Sequence, residues 1–351
     1  MMHRAEIQWM VIYASAMTGR SFSHVSTTED VLEGLDLEGQ TFLVTGSSGG
    51  LGLETCRALA NHGAAVIMAA RDQEKNEAAR QSILSVVPQA DLVSVVVDLG
   101  SLASVKAAAQ GIMASGRSLQ GLILNAGIMA TPFSRTVDGF ESQFGVDHLG
   151  HFCLAWHLLP RLVESAPARV VIVSSAGHRM GDVDLEDLNF ERRAYDPLMA
   201  YGAAKTCNVL HAVALDHLYR AQGVRAFAVH PGGIHTELGR YMTPEVISSL
   251  LKRIEESEAP TPRGAGAKNE GSGFQWKSIP QGAATTVWAA TAPELEGRGG
   301  EYCEDCSVSP VLPEQSSSSS ATVNGAGVAA RAVDRQRALA LWELSVALIG
   351  E

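Results

Sequence analysis

The stretch TFLVTGSSGGLG, residues 41–52, joins a short apolar run to a glycine-rich turn and to the start of an amphipathic segment. The run Thr41–Val44 predicts a buried strand, and the segment Leu51–Asn61 predicts a helix. Glycines let the turn between them bend tightly and let its backbone approach a pyrophosphate closely. The helix N-terminus presents unpaired N–H groups and a positive dipole end to such a phosphate. Ordinary turns also use glycine, but a strand, a glycine-rich turn and a helix in this order indicate a dinucleotide-binding fold.

The alternation of short apolar runs and longer amphipathic segments continues along the chain. Continuous apolar strands are buried on both faces, which indicates a parallel sheet covered by helices. The sequence therefore predicts the α/β class, with a doubly wound parallel sheet of the Rossmann type in a single domain. The further predicted strands are Ala65–Ala69, Leu92–Val97, Gly121–Leu124, Val170–Val173 and Val224–Val229, and the further predicted helices are Glu74–Val86 and Ser101–Ala114.

Two segments interrupt this alternation. Residues 259–273 are rich in Pro, Gly and small polar residues, which predicts a flexible surface insertion. Residues 316–327 begin with five serines and predict a disordered tether, after which a helix over Arg331–Ile349 packs back on the domain. The predicted organisation is an N-terminal arm (1–35), a Rossmann domain (36–310), and a linker with a C-terminal helix (311–351).

The composition, with 46% hydrophobic and 19% charged residues, is typical of a soluble globular protein. A net charge of −11 and the lack of a Lys/Arg-rich run argue against nucleic acid as a partner. Five scattered cysteines favour a reducing compartment, and we expect a cytoplasmic protein. The apolar stretch Trp9–Met17 matches the template of an N-terminal targeting segment only loosely. No run of about 18 apolar residues occurs, so the sequence predicts no transmembrane segment.

The residues after the second predicted strand, Arg71 and Asp72, bear on which dinucleotide is bound. At this place an acidic residue holds a ribose 2′-hydroxyl, whereas an arginine accommodates a 2′-phosphate. Arg71 comes first, and its fork of donors suits a phosphate. We therefore expect NADP(H) as cofactor. NAD(H) is the alternative, if Arg71 is a solvated arginine paired with Asp72.

Tyr201 and Lys205 stand four residues apart, which places them on one face of a helix. A tyrosine with its ordinary pKa of about 10 is a poor base at neutral pH. A neighbouring ammonium group lowers that pKa and prepares the phenol for proton exchange with a carbinol oxygen. Ser175 follows the strand Val170–Val173, at the edge where open α/β sheets bind ligands, and can donate a hydrogen bond to a substrate oxygen. Each pattern alone also fits a surface pair or a helix cap, but together with the glycine-rich turn they indicate an oxidoreductase site.

The glycine spacing Thr-Gly-x-x-x-Gly-x-Gly resembles that of the short-chain dehydrogenase/reductase family. It lacks the Gly-Lys-Ser/Thr ending of a nucleotide triphosphatase loop. The likeness covers roughly residues 26–350 and includes the stretches FGVDHLGHF (144–152) and HPGGIHTEL (230–238). These stretches look like the branch that holds retinol dehydrogenases and the WW-domain-containing oxidoreductase, without a WW domain.

The resemblance implies a role for each matching residue. Tyr201 would be the catalytic acid/base, Lys205 would hold the nicotinamide ribose, and Ser175 would contact the substrate oxygen. The implied cofactor-binding residues are those of the glycine-rich turn, the ends of the following strands and the catalytic helix: Gly46, Ser48, Gly50, Leu51, Gly52, Arg71, Asp98, Leu99, Asn125, Ala126, Gly127, Tyr201, Lys205, Pro231, Gly232 and Thr236.

One position departs from the family pattern, because Asp147 stands where most relatives have asparagine. In the family this residue completes a proton relay, largely by kinking its helix so that its backbone carbonyl holds a water near the lysine. Aspartate can support a similar kink, and its carbonyl is unchanged. A carboxylate near Lys205 would alter the local charge, so we include Asp147 in the catalytic set with a modified role.

Other residues that could bind metal or substrate have ordinary interpretations. Cys303 and Cys306 provide too few ligands for structural zinc, and His148 and His151 lack further ligands, so we expect no metal. Several apolar side chains on loops after strands either line a substrate pocket or pack within their loops: Met129, Phe133, Phe190, Tyr241 and Met242.

The first functional hypothesis is an NADP-dependent oxidoreductase that interconverts an alcohol and a ketone or aldehyde on a small apolar molecule. The second is an NAD(P)-binding regulatory or scaffold protein with weak or lost catalysis. Asp147 and the long tail motivate this hypothesis. A sugar-nucleotide epimerase shares the Tyr-x-x-x-Lys pattern, but its usual Gly-x-x-Gly-x-x-Gly loop does not fit Gly46, Gly50 and Gly52. A homo-oligomer is left open.

Overall fold

The apolar runs form the parallel strands of a central sheet in the computed structural model of the protein, which describes residues 21–257, 276–313 and 326–351. Within the described residues the sheet has eight strands in the order β3-β2-β1-β4-β5-β6-β7-β8. Only β8 runs antiparallel to its neighbour. The strands are β1 (Thr41–Thr45), β2 (Ala65–Ala70), β3 (Leu92–Val96), β4 (Gly121–Leu124), β5 (Ala168–Val173), β6 (Val224–His230), β7 (Glu301–Glu304) and β8 (Ser307–Val308).

Helices cover both faces of the sheet, and each face has its own apolar core. They are α1 (Thr28–Leu32), α2 (Gly50–Asn61), α3 (Gln73–Val86), α4 (Leu102–Ala114), α5 (Gly150–Glu164), α6 (Pro197–Tyr219), α7 (Pro244–Ser257), α8 (Ile279–Thr291) and α9 (Arg335–Leu348). This arrangement confirms the predicted α/β class and the doubly wound sheet.

The edge strand β3 differs from the prediction that every strand is buried on both faces. Val93 and Val95 are half-buried, and Val96 is 47% exposed. The physical reason is position: β3 pairs only with β2, so one of its sides lacks a neighbouring strand. The prediction fits the central strands, since all five residues of β1 are buried.

The chain ends of the described structure pack on the domain. Helix α1 contacts α2 and α8, and the Thr28 hydroxyl donates to Glu54 within the buried interface. Helix α9 packs along α6 with Leu341 and Trp342 buried. Two short strands, β9 (Val311–Leu312) and β10 (Val328–Ala329), pair in parallel ahead of α9.

Three of the sequence predictions concern residues that the structure does not describe. The insertion at 259–273, the serine run at 316–320 and the apolar stretch Trp9–Met17 lie outside the described residues. Among the helices that are described, none combines the length and apolar character needed to cross a membrane.

Candidate active site

The glycine-rich turn lies at the carboxyl end of β1, where the strand order reverses between β2 and β4. Open α/β sheets bind their ligands at such a reversal point. Gly46 has φ of 70°, and a Cβ there would lie 2.9 Å from Cα of Ala126. A Cβ on Gly52 would lie 2.2 Å from the Gly46 carbonyl oxygen. These two positions therefore accept only glycine, and the turn stays close to the end of β4.

A network centred on Thr45 joins this turn to the residues after β4. The Thr45 hydroxyl oxygen accepts hydrogen bonds from the backbone N–H groups of Asn125 (2.9 Å) and Ala126 (3.1 Å). The Asn125 amide donates back to the Thr45 carbonyl at 2.9 Å. Gly49, which caps α2, has no side chain to accept from the first N–H groups of that helix. Those donors remain for a ligand, so the turn fits the pyrophosphate of a dinucleotide.

The residues after β2 and β3 lie on the expected adenosine side of this turn. Arg71 is exposed directly after β2. The Asp72 carboxylate caps α3 by accepting from the Lys75 N–H at 3.0 Å. Asp98 accepts from the Gly100 N–H at 2.9 Å, and Leu99 is buried beside it. Asp72 is thus engaged by its own helix, and the arginine is free of that carboxylate.

The structure brings the predicted catalytic side chains together. Tyr201 and Lys205 lie on one face of α6, with the Lys205 Nζ 5.4 Å from the centroid of the Tyr201 ring. Ser175 follows β5, and its hydroxyl lies beside the Tyr201 ring, since a Cβ on Gly177 would be 3.3 Å from the Ser175 Oγ and 3.0 Å from Cε1 of Tyr201. The Ser174 hydroxyl donates to the Lys205 carbonyl at 2.8 Å, which ties the end of β5 to α6. Both Tyr201 and Lys205 are buried.

Burial is the main influence on the Tyr201 phenol, and it raises the pKa above the ordinary value. Lys205 opposes this effect and lowers the pKa, as the sequence led us to expect. Asp147 raises the pKa again, and the hydrogen bond with Ser175 lowers it. Burial outweighs the lysine, so Tyr201 is a phenol rather than a phenolate at neutral pH.

Asp147 lies in a π-helical turn, Phe144–Leu149, that leads into α5. Its Oδ2 is 3.0 Å from the Lys205 Nζ, and its Oδ1 accepts from the Ile128 N–H at 2.8 Å. Burial lowers the pKa of Lys205, but Asp147 and Tyr201 together more than offset this and raise it. Burial raises the pKa of Asp147, and the contact with Lys205 opposes that rise. The carboxylate therefore holds the ammonium group as an ion pair beside the phenol.

The backbone carbonyl oxygen of Asp147 has a side-chain hydrogen-bond partner. It accepts a hydrogen bond from Nδ1 of His151 at 3.1 Å, and Nε2 of the same ring lies 2.8 Å from the Thr45 hydroxyl. His151 thus connects the π-helical turn to the glycine-rich turn.

His148 and His151 do not point at a common ligand. The His148 Nε2 lies 3.0 Å from the hydroxyl of Ser345 on α9, whereas the His151 Nε2 lies 2.8 Å from the Thr45 hydroxyl. Across the residues that the structure describes, no group of three or more His, Cys, Asp or Glu side chains could hold a metal ion. Cys303 and Cys306 are buried with free thiols.

The loop after β6 lies beside the turn that follows Ser175, because β6 pairs with β5. The His230 Nδ1 accepts from the N–H groups of Ala176 (3.3 Å) and Gly232 (3.4 Å), which ties this loop to the one after β5. Gly232 has φ of 96°, and a Cβ there would meet the Lys277 side chain at 2.8 Å. Pro231 precedes this glycine, and Thr236 lies against Gly50, since a Cβ on that glycine would be 3.4 Å from the Thr236 methyl.

Two side chains in this region were not selected from the sequence. Lys277 pairs with Asp305 and its backbone N–H donates to the Gly233 carbonyl at 2.9 Å. Trp276 stacks on His235 with ring centroids 3.7 Å apart. Neither belongs to a local pattern, because both reach the loop from a distant part of the chain.

The apolar loop residues surround the same end of the sheet. The Tyr195 ring lies edge-on to Phe133 and to Phe190, with centroids 5.2 Å apart in both pairs. Phe133 is 47% exposed and Tyr241 is 38% exposed. Phe190 has φ of 55°, which is a left-handed backbone conformation that residues other than glycine seldom adopt.

Comparison with known proteins agrees with this geometry. Residues 40–246 match the family model described as short chain dehydrogenase. The chain is 38% identical over 331 residues to the short-chain dehydrogenase/reductase prx1 of Penicillium roqueforti, covering 92% of this chain and 90% of that protein. It is 35% identical over 342 residues to retinol dehydrogenase 12 of Mus musculus, covering 97% and 95%.

A crystal structure of an uncharacterized protein from Mycobacterium paratuberculosis has 34% identity and a TM-score of 0.65, covering 91% of this chain and 96% of that chain. The chain belongs to the short-chain dehydrogenase/reductase family. It is an oxidoreductase whose relatives are named as dehydrogenases and reductases, and its fold is the NAD(P)-binding fold of that family. The resemblance inferred from the motifs is confirmed.

Proposed function

We propose that this protein interconverts an alcohol and a ketone or aldehyde on an apolar small molecule, with NADP(H) as cofactor and Tyr201 as proton donor and acceptor. The observation that carries the proposal is the cluster at the sheet end, where the Tyr201 ring lies beside the Ser175 hydroxyl and its centroid is 5.4 Å from the Lys205 Nζ. The glycine-rich turn lies at the same carboxyl edge of the parallel sheet, at the end of β1. A phenol, a cation and a hydroxyl in this arrangement suit proton transfer to a carbonyl oxygen.

The choice of NADP(H) rests on the residues after β2. Recognition of a ribose 2′-hydroxyl needs an unengaged acidic side chain at this place, whereas Asp72 caps α3. The exposed Arg71 precedes it and offers a planar fork of donors to a 2′-phosphate. The two observations together favour NADP(H) over NAD(H).

When bound, the nicotinamide supplies or accepts the hydride. Ser175 donates a hydrogen bond to the substrate oxygen and stabilises the charge that develops there. Tyr201 gives its phenolic proton to that oxygen in reduction and takes it back in oxidation. Lys205 lowers the pKa of the phenol, which favours release of the proton. It would also hold the nicotinamide ribose, together with Pro231, Gly232 and Thr236 near the ring.

The proposed substrate is apolar because the loops at this end of the sheet present aromatic side chains. Phe133, Phe190 and Tyr241 lie on loops after β4, β5 and β6 and retain exposed surface. Retinol dehydrogenase 12 of Mus musculus, by its name, acts on an apolar alcohol. We further propose that the protein is cytoplasmic, which suits its five buried cysteines with free thiols.

A second candidate function is that of an NAD(P)-binding regulatory protein with weak catalysis. The ion pair between Asp147 and Lys205, at 3.0 Å, favours this alternative because it partly cancels the pull of the lysine on the phenol. Measured turnover of carbonyl compounds distinguishes the oxidoreductase from the regulatory protein.

The test uses purified protein with NADPH or NADH and about a dozen classes of carbonyl compound, followed by the Tyr201→Phe variant. This change keeps the ring and removes the proton, so we expect turnover to fall by about 10²- to 10⁴-fold. NADPH affinity, measured by fluorescence titration, should change little. A variant that keeps a tenth of the turnover would place the proton transfer elsewhere. Cofactor binding without turnover on any compound would favour the regulatory alternative.

A further inference from the structure

The turn that follows Ser175 contains a completely buried histidine. His178 belongs to the 3₁₀ turn Ala176–Arg179, and its Nδ1 lies 2.6 Å from the Ser175 carbonyl oxygen. A carbonyl can only accept, so Nδ1 carries the proton. Burial lowers the pKa of His178 to about 4, which keeps the ring neutral at physiological pH. Its Nε2 is therefore an acceptor, and it takes the N–H of Ala329 at 3.1 Å.

The partner of Nε2 comes from the far C-terminal part of the chain. Ala329 is in β10, and three further hydrogen bonds join the same segment to the turn. Arg179 donates to the Gly327 carbonyl at 2.9 Å. Arg331 donates to the carbonyls of Arg179 (2.9 Å) and His178 (3.2 Å). The segment then continues into α9, which packs on the helix that carries Tyr201.

The ring of His178 has little freedom to turn. It packs against the ring of Tyr302, with centroids 4.9 Å apart, and both residues are buried. Its Nδ1 donates to the Ser175 carbonyl, and its Nε2 accepts from the Ala329 N–H. A neutral imidazole with one donor and one acceptor satisfies both partners in a single tautomer.

We propose that His178 is a positioning residue, which fixes the Ser175 backbone and is itself held by the C-terminal segment Gly327–Arg331. The Ser175 hydroxyl accepts from the Gly177 N–H at 3.0 Å and lies beside the Tyr201 ring, so its direction depends on the same short turn. Rotation of the Ser175 peptide would move this hydroxyl away from the phenol. The segment is thus a part of the active site that touches no reacting atom. This inference rests on the proposed catalytic role of Ser175.

Two substitutions of His178 separate its positioning role from its bulk. His178→Phe keeps a buried ring and removes both nitrogens. His178→Asn keeps a donor near the place of Nδ1 and so retains the bond to the Ser175 carbonyl. We expect kcat of the Phe variant to fall about 10- to 100-fold, the scale of a misplaced catalytic group. The Asn variant should recover kcat to within about threefold of the wild type, since it keeps the positioning bond.

The pH profile provides a readout that loss of packing would not move. The Ser175 hydrogen bond lowers the pKa of Tyr201. In the Phe variant, the pH at which alcohol oxidation begins to rise should therefore shift upward, while NADPH affinity stays near the wild-type value. The urea midpoint should fall, because the buried Ala329 N–H loses its acceptor, but a fall in stability alone would not move the pH profile of the folded enzyme. Arg331→Met removes two of the four hydrogen bonds between the C-terminal segment and the turn, those to the carbonyls of His178 and Arg179, and should shift both kcat and the profile in the same direction.

Ser345→Ala is the matched control, because it removes a contact of α9 with the buried His148 and leaves the Ser175 turn untouched. Its kcat and pH profile should equal those of the wild type. Hydrogen exchange of the peptide covering residues 174–180 tests the same link without turnover. We expect faster exchange in the Phe and Arg331→Met variants, and wild-type exchange in the control.

A folded Phe variant with wild-type kcat and wild-type exchange would overturn the proposal. The same holds if a folded Asn variant is as impaired as the Phe variant. If the Phe variant does not fold, the Asn and Arg331→Met variants still decide the matter. If the wild type turns over no compound, the proposed function fails, whereas the exchange data separately show whether His178 holds the turn.

Discussion

Lys205 shares its ammonium group between a carboxylate and an aromatic ring. Asp147 is 3.0 Å away on one side and the Tyr201 ring centroid is 5.4 Å away on the other. Both acidic groups raise the pKa of the lysine. The lysine and the aspartate act on the phenol in opposite directions. The pKa of Tyr201 therefore depends on Asp147, to which the phenol is not hydrogen-bonded.

Asp147→Asn tests this dependence. An ionised Asp147 raises the pKa of Tyr201, so its removal should lower that pKa. Oxidation requires the phenolate as base, and the pH at which the oxidation rate rises should move downward. We expect turnover to be kept or raised, because the backbone carbonyl that would hold the relay water is unchanged. Full pH–rate profiles of both proteins are the measurement.

The opposite result has a clear meaning. If the carboxylate itself carries the proton, Asp147→Asn should lower turnover by about tenfold or more, as loss of an acid/base group does. Such a loss, with NADPH affinity unchanged, would overturn the interpretation of Asp147 as a modifier. It would leave the family assignment intact.

The proposed choice of NADP(H) rests on Arg71, and Arg71→Asp tests it. Loss of a charge-assisted pair and the new repulsion should weaken NADPH binding by about 3 kcal/mol. NADH lacks the 2′-phosphate, so its binding should suffer far less. Dissociation constants of both cofactors, measured for both proteins, provide the comparison. Equal losses for the two cofactors, or a wild type that prefers NADH, would contradict the assignment.

At the scale of elements, contacts between backbones bring the catalytic groups together. A Cβ on Gly202 would lie 2.6 Å from the Gly181 nitrogen and 2.7 Å from the Gly177 carbonyl oxygen. The absence of side chains here lets α6 pack directly on the loop after Ser175. Since Tyr201 precedes Gly202, the same close packing brings the phenol within reach of the serine hydroxyl.

The π-helical turn before α5 has a comparable effect. A wider turn changes the direction of its side chains relative to an α-helix and commonly occurs at functional sites. Here it presents the Asp147 carboxylate to Lys205 and the Asp147 carbonyl to His151. Gly150 then begins α5, where a Cβ would lie 2.3 Å from the Leu99 carbonyl oxygen. The helix therefore packs closely on the loop after β3.

At the scale of the whole molecule, buried neutral histidines link stability to pH. Burial lowers the pKa of five imidazoles to about 3 or 4, or well below the ordinary value in the case of His211: His148, His151, His178, His211 and His230. The unfolded chain binds protons at these groups near pH 6.5, whereas the folded protein does not. Their contribution to stability is therefore complete above about pH 6.5 and is lost as the pH falls toward the folded pKa values.

We expect the free energy of unfolding to fall steeply below about pH 6.5, with each neutral histidine contributing a slope of about 1.4 kcal/mol per pH unit. Urea unfolding followed between pH 8 and pH 5 measures this slope. His211→Leu should reduce it by the contribution of one histidine, since neither ring nitrogen of His211 has a hydrogen-bond partner in the described structure. A slope that is unchanged in this variant would mean that His211 stays protonated in the folded protein.

The sequence by itself determined the features that depend on local patterns. Continuous apolar runs predicted a parallel sheet, and each of the six strands given bounds from the sequence begins and ends within two residues of the observed one, whereas β7 to β10 were given none. The glycine spacing indicated the phosphate turn, and four-residue spacing placed Tyr201 and Lys205 on one helix face. Backbone hydrogen bonding repeats with a fixed period, so a short window of residues is enough to reveal it.

Only the tertiary structure decided which distant groups meet. The pairing of Asp147 with Lys205 was anticipated from family likeness, but its 3.0 Å geometry and the use of the Asp147 carbonyl by His151 were not. Nothing in the local sequence marks the contact of His178 with Ala329, 151 residues away. The position of β3 at the sheet edge likewise follows from strand order. Such contacts form only when the whole chain packs, because burial and long-range hydrogen bonds depend on the arrangement of the elements and not on the spacing within one of them.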